Sequence, residues 1–393
     1  MNQIRQLING SWRGSPALCR LLRRLPGRSA NFGPPRSGAT AADYAQSHGL
    51  RCWETLPAQV TSRPAARWFG PAHPLNGFWR EKTLPPVRVL SLADGRLLWP
   101  EASVVTADDA LLTDTSFWAL CDDGRLHRHP LGRRWSAPPQ RRLKGRVLSL
   151  ASDHAGYSFG HLLLDALPRL GYVQRAGYRL DDFDWIVLPH PPSATADRLI
   201  TAARLPRDRI INPRLREDFV CDELVCTTFP GWPGYYSPEL PAFYRQLLGL
   251  KPTRGTLRIY LSRQRQSRRR LAHAAEVEAV LARHGFETVY PESDPQVIDK
   301  CADADFIVGI EGSNFTNQVF APPGGAVLLL LADNWHDLPY VYTVATAAGK
   351  AVFALNCAPV IDPADSRAHW TNPHDLVVDL AALDTALSEM LTT

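Results

Sequence analysis

The stretch Phe306-Ile-Val-Gly-Ile-Glu-Gly-Ser-Asn-Phe-Thr-Asn-Gln-Val-Phe320 constrains the fold most. An apolar run, Phe306 to Ile310, stops at Glu311-Gly312-Ser313. An amphipathic stretch follows and ends at Pro322-Pro323-Gly324-Gly325. A second apolar run, Ala326 to Leu331, comes next. This is strand, glycine turn, short helix, turn, strand, the repeating unit of a doubly wound sheet. Ligands of such sheets sit beyond the carboxyl ends of the strands, so chemistry is expected at the Glu311 to Thr316 loop. Free amides at the start of the short helix would suit a phosphate.

The same alternation extends in both directions. Arg146 to Ala151 reads as a strand and Ser158 to Leu170 as a helix with Leu163, Leu164, Leu167 and Leu170 on one face. A strand at Trp185 to Leu188, a helix near Ala194 to Ala203 and a strand at Arg209 to Ile211 follow. Phe219-Val220 and Leu224-Val225 are further strand candidates, and Pro238 to Leu250 a helix. The polar break Lys251 to Gly255 marks a boundary. Beyond it come the strand Leu257 to Leu261, a helix from Ala274 to His284 stopped by Gly285, the strand Phe286 to Tyr290 and the helix Pro295 to Ala302. A helix at Pro339 to Ala348, a strand at Ala351 to Leu355 and a helix from Asp375 to Met390 complete the pattern. Two Rossmann-like α/β halves facing a cleft are expected, at 145–252 and 253–393.

The first part of the chain is different. Residues 26–85 are rich in Pro, Gly, Ser and Ala, with Trp53, Trp68 and Trp79 among them. They read as irregular structure held on a domain by its aromatics, so 1–85 is expected to be a basic, irregular arm. Short alternating runs from Val87 to Thr113, broken at Asp94-Gly95, and a later Asp123-Gly124, read as a β meander with hairpin turns. With the basic connector Arg133 to Lys144 they form an expected β-rich unit, 86–144.

Composition narrows the classes. At 393 residues with 45% hydrophobic and 21% charged content, the chain is an ordinary globular sequence of about two to three domains. No apolar run approaches the roughly 20 residues of a membrane span, and residues 1–28 lack the apolar core of a signal peptide. Seven scattered cysteines suggest neither a zinc ribbon nor a disulfide framework, and a cytoplasmic location is expected. The net charge of +5 rests on arginine, with only five lysines among 44 basic residues. There is no aromatic-plus-basic RNA pattern, so nucleic acid is not an expected partner. Residues 1–37 carry Arg5, Arg13, Arg20, Arg23, Arg24, Arg28 and Arg36 and no acid, interleaved with leucines and Trp12. Two readings stand: a peripheral contact with an anionic inner-membrane face, or a mobile arm.

Three segments together resemble glycosyltransferase family 61, including its bacterial capsular and exopolysaccharide members. The first is Tyr157-Ser-Phe-Gly-His-Leu-Leu-Leu-Asp-Ala-Leu-Pro-Arg-Leu170. The second is Ile259-Tyr-Leu-Ser-Arg263 with Arg269-Arg-Leu271, Glu276-Val277 and Gly285-Phe286. The third is Pro291-Glu292, Ile307-Val-Gly309, Gly312-Ser313, Thr316-Asn317, Phe320 and Pro322-Pro-Gly324. The resemblance covers roughly residues 86–357. Glu311 stands where the family commonly has His, and His273-Ala274 where it has Asn-Glu. The resemblance implies an inverting, metal-independent transferase using a nucleotide-activated sugar, without a cofactor. Two facing Rossmann-like halves are the GT-B layout of many glycosyltransferases, so the expected fold class is α/β, GT-B-like, with an N-terminal β-rich extension.

Such a transferase needs a base for the acceptor hydroxyl and donors for the departing phosphate. His161 and Asp165, one helical turn apart, share a face, so Asp165 can orient the ring. Glu311 is the rival base. Arg263 ends a predicted strand, and Arg268 and Arg269 follow in one loop. Guanidinium forks match phosphate oxygens, so the diphosphate falls to Arg263 and one of Arg268 or Arg269, with Gly312, Ser313 and Asn314 at the helix start. Glu292 is expected to touch base or ribose, and Asn317 is donor-binding or structural. The triplets Asp182-Phe-Asp184 and Asp303-Ala-Asp305 precede strands and so lie at the wrong end of the sheet for a metal site. A non-catalytic nucleotide- or sugar-binding protein on the same scaffold is the alternative.

Overall fold

The computed structural model of the protein describes residues 35–70, 80–117, 130–133, 140–214, 217–251, 254–332, 339–360 and 374–393. Among these residues the architecture is mixed α/β, built on a ten-stranded and a seven-stranded sheet.

The seven-stranded sheet has a parallel core of five strands. They are Leu257–Leu261, Glu287–Val289, Ala304–Ile310, Ala326–Ala332 and Ala351–Pro359. Counted along the chain, they lie in the order 2-1-3-4-5. Ala304–Ile310 and Ala326–Ala332 are buried at every residue, because helices cover both faces of a parallel sheet. Their near-continuous apolar sequence follows from that burial. The strand order reverses between the first and third strands. The loops that follow them, at 262–270 and 311–313, therefore border the crevice where ligands of such sheets bind.

The ten-stranded sheet is parallel only in part. Gln140–Ser149 lies between Trp185–Val187 and Asp218–Thr227, and Ile210–Ile211 follows beyond Trp185–Val187. These four strands run parallel in the order 3-2-1-4. The sheet then continues antiparallel: Asp218–Thr227 pairs with both Val87–Ala93 and Arg96–Leu98. The expected hairpin at Asp94-Gly95 is thus a break within one line of pairing, not a reversal. Asp94 N–H bonds to Asp222 O at 3.1 Å, and Cys221 N–H to Gly95 O at 2.9 Å. A Cβ on Gly95 would stand 2.8 Å from Leu224 Cβ, so the missing side chain lets the kinked strand lie flush on its neighbour. True hairpins join Arg96–Leu98, Ser103–Val105 and Ala110–Leu112. Asp123-Gly124 lies outside the described residues.

Residues 35–69 correct a second expectation. Read as irregular, they form a helix and four short strands. The helix Ala41–His48 is capped by the Thr40 hydroxyl and ended by Gly49 in the left-handed conformation, φ 63°. Cys52–Leu56 pairs with Val87–Ala93 in the first sheet. Arg67–Phe69 pairs with Phe353 to Leu355 in the second. Strands of three to five residues with partners so remote leave no periodic trace in a Pro- and Gly-rich sequence. Of the basic segment 1–37, only residues 35–37 are described.

One apolar cluster runs through both sheets. It contains Leu148 and Ile186 of the first, Ile259, Ile307 and Val327 of the second, and Leu167 of a helix. Tyr244 is fully buried in it, donates to Leu163 O at 2.6 Å and meets the Phe320 ring edge-on at 5.3 Å. Arg198 also forks onto Asp299 with two 2.6 Å bonds between helices of the two parts.

Candidate active site

The helix expected over 158–170 is present but irregular. An α turn, Phe159–His161, opens it; a π turn, Leu162–Ala166, follows; regular helix resumes at Arg169–Arg175. Leu167 N–H reaches Leu162 O at 3.0 Å. Pro168 has no N–H to give to the residue four positions back, so the ladder is interrupted there and the turn widens. Leu163, Leu164, Leu167 and Leu170 face the core as predicted.

His161 and Asp165 meet. His161 Nδ1 lies 2.5 Å from Asp165 Oδ2; the ring is 28% exposed and the carboxylate fully buried. Three further groups serve Asp165. The Tyr236 hydroxyl donates to Oδ1 at 2.8 Å, and the Ser152 hydroxyl to Oδ2 at 3.4 Å. Arg169 Nε donates to the Asp165 backbone carbonyl at 2.9 Å. Arg169 is itself buried and binds Thr227 O, Thr227 Oγ1 and Thr115 O at 3.0–3.1 Å. Burial lowers its proton affinity to a pKa of about 10. Burial also pushes the His161 ring down, but the adjacent Asp165 charge outweighs this and the pKa ends above the ordinary imidazole value.

The loop before this helix adds two titratable groups. Burial pushes the Asp153 carboxyl up to about 7, against the pull of His161. Burial pushes His154 down to about 4; its ring centroid is 5.1 Å from that of His161, and its backbone is left-handed, φ 66°. Sequence reading did not single out Ser152, Asp153, His154, Arg169 or Tyr236. The first three had a signal, since they follow a predicted strand at its carboxyl end. Tyr236, in the short strand Tyr235–Tyr236, had none.

The second sheet supplies the other wall. Arg263 is buried immediately after the Leu257–Leu261 strand and lies against Gly312. Gly312 has φ 146°, and a Cβ there would stand 2.2 Å from Arg263 Nη1, so only glycine fits. Arg263 Nη2 reaches Arg268 O at 3.5 Å, and burial together with neighbouring Arg269 takes its pKa down to about 10. Arg268 is exposed at the loop surface. Arg269 Nη1 binds Glu311 Oε2 at 2.5 Å, while the Tyr340 hydroxyl donates to Glu311 Oε1. Both oxygens of Glu311, which is 3% exposed, are therefore engaged. Arg270 is used structurally, through Asp375 at 3.0 Å.

The other candidates fall into two groups. Asn314 Nδ2 lies 3.2 Å from Glu292 Oε2 and 3.5 Å from Ser262 O, beside Arg263, so Glu292, Asn314 and Ser313 border the crevice. Asn317 is buried and donates to Asn314 O at 2.8 Å, which shapes the turn. The short helix Ser313–Phe320 is 3₁₀, tighter than the expected α form. Both Asp-x-Asp triplets lie at strand starts and bind nearby protein groups. Asp182 accepts from Arg179 N–H, Asp184 from Arg146 N–H and Asp303 from Thr256 N–H, and Asp305 pairs with Arg254.

The two walls touch. Ser158 Oγ lies 3.0 Å from Ser313 Oγ, and a Cβ on Gly160 would be 3.3 Å from both Ser313 Oγ and Thr316 Cγ2. His161 thus stands one residue from the glycine that contacts Ser313 and Thr316. Arg63, from the N-terminal segment, fastens the arrangement. Its guanidinium donates to Tyr236 O at 2.6 Å and to Thr343 O and Thr346 Oγ1 at 2.7 Å. It ties the strand bearing Tyr236 to the helix bearing Tyr340.

The site can take a proton at His161 and present arginine and hydroxyl donors to an anion a short distance away. The family model described as Glycosyltransferase 61 matches residues 159–328. The match runs from the turn before His161, through Arg263 and Glu311, into the Ala326–Ala332 strand, and it supports glycosyltransferase activity. No curated protein matches the chain.

Proposed function

We propose that the protein is an inverting glycosyltransferase that moves a sugar from a nucleotide-sugar donor to a saccharide or lipid-linked saccharide acceptor, in surface-polysaccharide assembly. The observation that carries this reading is the placement of a histidine–carboxylate pair against the Gly312-Ser313 loop, at the crevice of a 2-1-3-4-5 sheet. The two parallel cores, 3-2-1-4 and 2-1-3-4-5, support a GT-B-like arrangement with the acceptor on the first part and the donor on the second. In this reading His161 Nε2 takes the acceptor proton while the acceptor oxygen attacks the anomeric carbon. The bond from that carbon to the phosphate oxygen breaks, and the nucleoside diphosphate leaves with both electrons. Arg263, Arg268 and the Ser313-Asn314 amides balance its charge. Glu311, held by Arg269 and Tyr340, shapes the pocket and is not free to act as the base.

The test is turnover of a panel of nucleotide sugars with saccharide acceptors. Binding without transfer or hydrolysis would favour the non-catalytic alternative, for which the replacement of the family's His by Glu311 is the motive. Three outcomes are expected besides turnover. Arg263→Ala should weaken nucleotide binding by ~1.5–3 kcal/mol, the scale of a charged hydrogen bond; unchanged affinity by calorimetry would remove the arginine from the site. Transfer should persist in EDTA, because the Asp-x-Asp carboxylates bind protein groups at the amino ends of strands. Loss of activity on chelation with recovery on Mn²⁺ would contradict this. Deleting residues 1–34 should reduce salt-sensitive binding to anionic vesicles, given six arginines and no acid in that stretch. Equal binding to neutral and anionic vesicles, insensitive to salt, would count against a membrane-peripheral contact.

A further inference from the structure

We infer that Tyr236 tunes the basicity of His161: by donating to Asp165 it keeps the buried carboxylate from holding the imidazole in its protonated form. The meaning of that proton rests on the glycosyltransferase reading; the geometry does not. Asp165 has no exposure to water. A buried carboxylate 2.5 Å from an imidazole is a strong proton trap, and a trapped imidazolium is no base. The direct donor to Oδ1 is the Tyr236 hydroxyl at 2.8 Å. A hydrogen bond to a carboxylate spreads its charge and weakens its pull on a neighbouring cation.

The groups around His161 leave this role to Tyr236. On its own helix are Asp165 and Arg169, the latter's guanidinium occupied by four oxygens. From the preceding loop come Asp153, His154 and, beyond them, Tyr157 with Arg268 near it. Phe117 offers only a ring edge at 6.1 Å. Tyr340 stands behind Tyr236 and is committed to Glu311. Ser152 reaches Asp165 at 3.4 Å, a weaker contact. Tyr236 is also well fixed. Arg63 holds its carbonyl at 2.6 Å, and burial with the Asp165 charge drives its hydroxyl well above the phenol range, so it stays a donor.

The experiment uses the full chain with ¹³C-labelled histidine, the His161 signal being assigned by its loss in His161→Gln. In Tyr236→Phe the His161 titration should rise by about half a unit to one unit, a part of the worth of a hydrogen bond to a charged group. In Asp165→Asn it should fall. Turnover of UDP-, dTDP- and GDP-sugars by Tyr236→Phe should drop near neutral pH and recover as pH is raised, whereas a merely structural role gives a loss independent of pH. An unchanged or lowered His161 titration in Tyr236→Phe overturns the inference. If Tyr236→Phe does not fold, 3-fluorotyrosine placed at position 236, a stronger donor of the same shape, must lower the titration, and the absence of a fall overturns the inference equally. Absence of turnover in the unaltered chain would defeat the transferase reading, while the imidazole titration still decides the tuning.

Discussion

His161→Ala is expected to lower kcat by ~10²–10⁴ with donor affinity intact, the usual worth of a general base. Three features lead to this. The ring is partly open to solvent, its Nδ1 is fixed by a buried carboxylate, and its Nε2 carries no protein partner among the described residues. The pH profile should carry the same signature. The base must be neutral, and Asp165 raises its pKa above the ordinary value of about 6.5. Activity should therefore fall on the acid side, through a limb lying above that value. Glu311→Gln should cost much less, since its oxygens already accept from Arg269 and Tyr340. Turnover abolished in Glu311→Gln but retained in His161→Ala would reverse the two roles.

Arg169→Leu is expected to destabilise the fold by about 3–5 kcal/mol, the scale of breaking a buried charged network. The side chain is 2% exposed and makes four hydrogen bonds, to Asp165 O, Thr227 O, Thr227 Oγ1 and Thr115 O. Leucine fills part of the space and leaves those oxygens without a donor in a place water does not reach. Arg169→Lys should rescue little, because a single ammonium cannot span acceptors held by a planar fork. Urea unfolding measures both. A lower midpoint with unchanged slope is the expected form, and a loss under about 1 kcal/mol would show that the network does not hold the first sheet to the His161 helix.

The residues that sequence reading brought forward sit on one irregular helix and on two loops that border the crevice. His161, Asp165, Arg263, Arg269, Glu311, Gly312 and Ser313 were legible because each follows or ends a strand, or recurs one helical turn along. Local spacing is sufficient for both. The second half was the most readable part. Strands such as Ala304–Ile310 are buried on both faces, so the apolar run itself records the fold. Gly312 was read as a turn residue; that it also makes room for the Arg263 guanidinium is visible only in three dimensions.

Other features were decided by contacts far apart in the chain. The amino-terminal strands are too short to show a period, and Arg67–Phe69 exists as a strand because a distant edge accepts it. The Asp94-Gly95 pair has hairpin chemistry, yet one long neighbouring strand pairs on both sides of it and keeps the chain running straight. Arg63 and Tyr236 lie 173 positions apart, and nothing local marks either as part of the site. By itself the sequence determined the α/β alternation, the two loops that carry the candidate chemistry and the His161–Asp165 pairing, because periodicity and turn chemistry act over a few residues. Only the tertiary structure decided that Arg269 is bound by Glu311, that Tyr236 completes the Asp165 network and that the amino-terminal segment joins both sheets. Hydrogen bonds and strand pairings between remote segments depend on where the whole chain closes, and no local pattern encodes that.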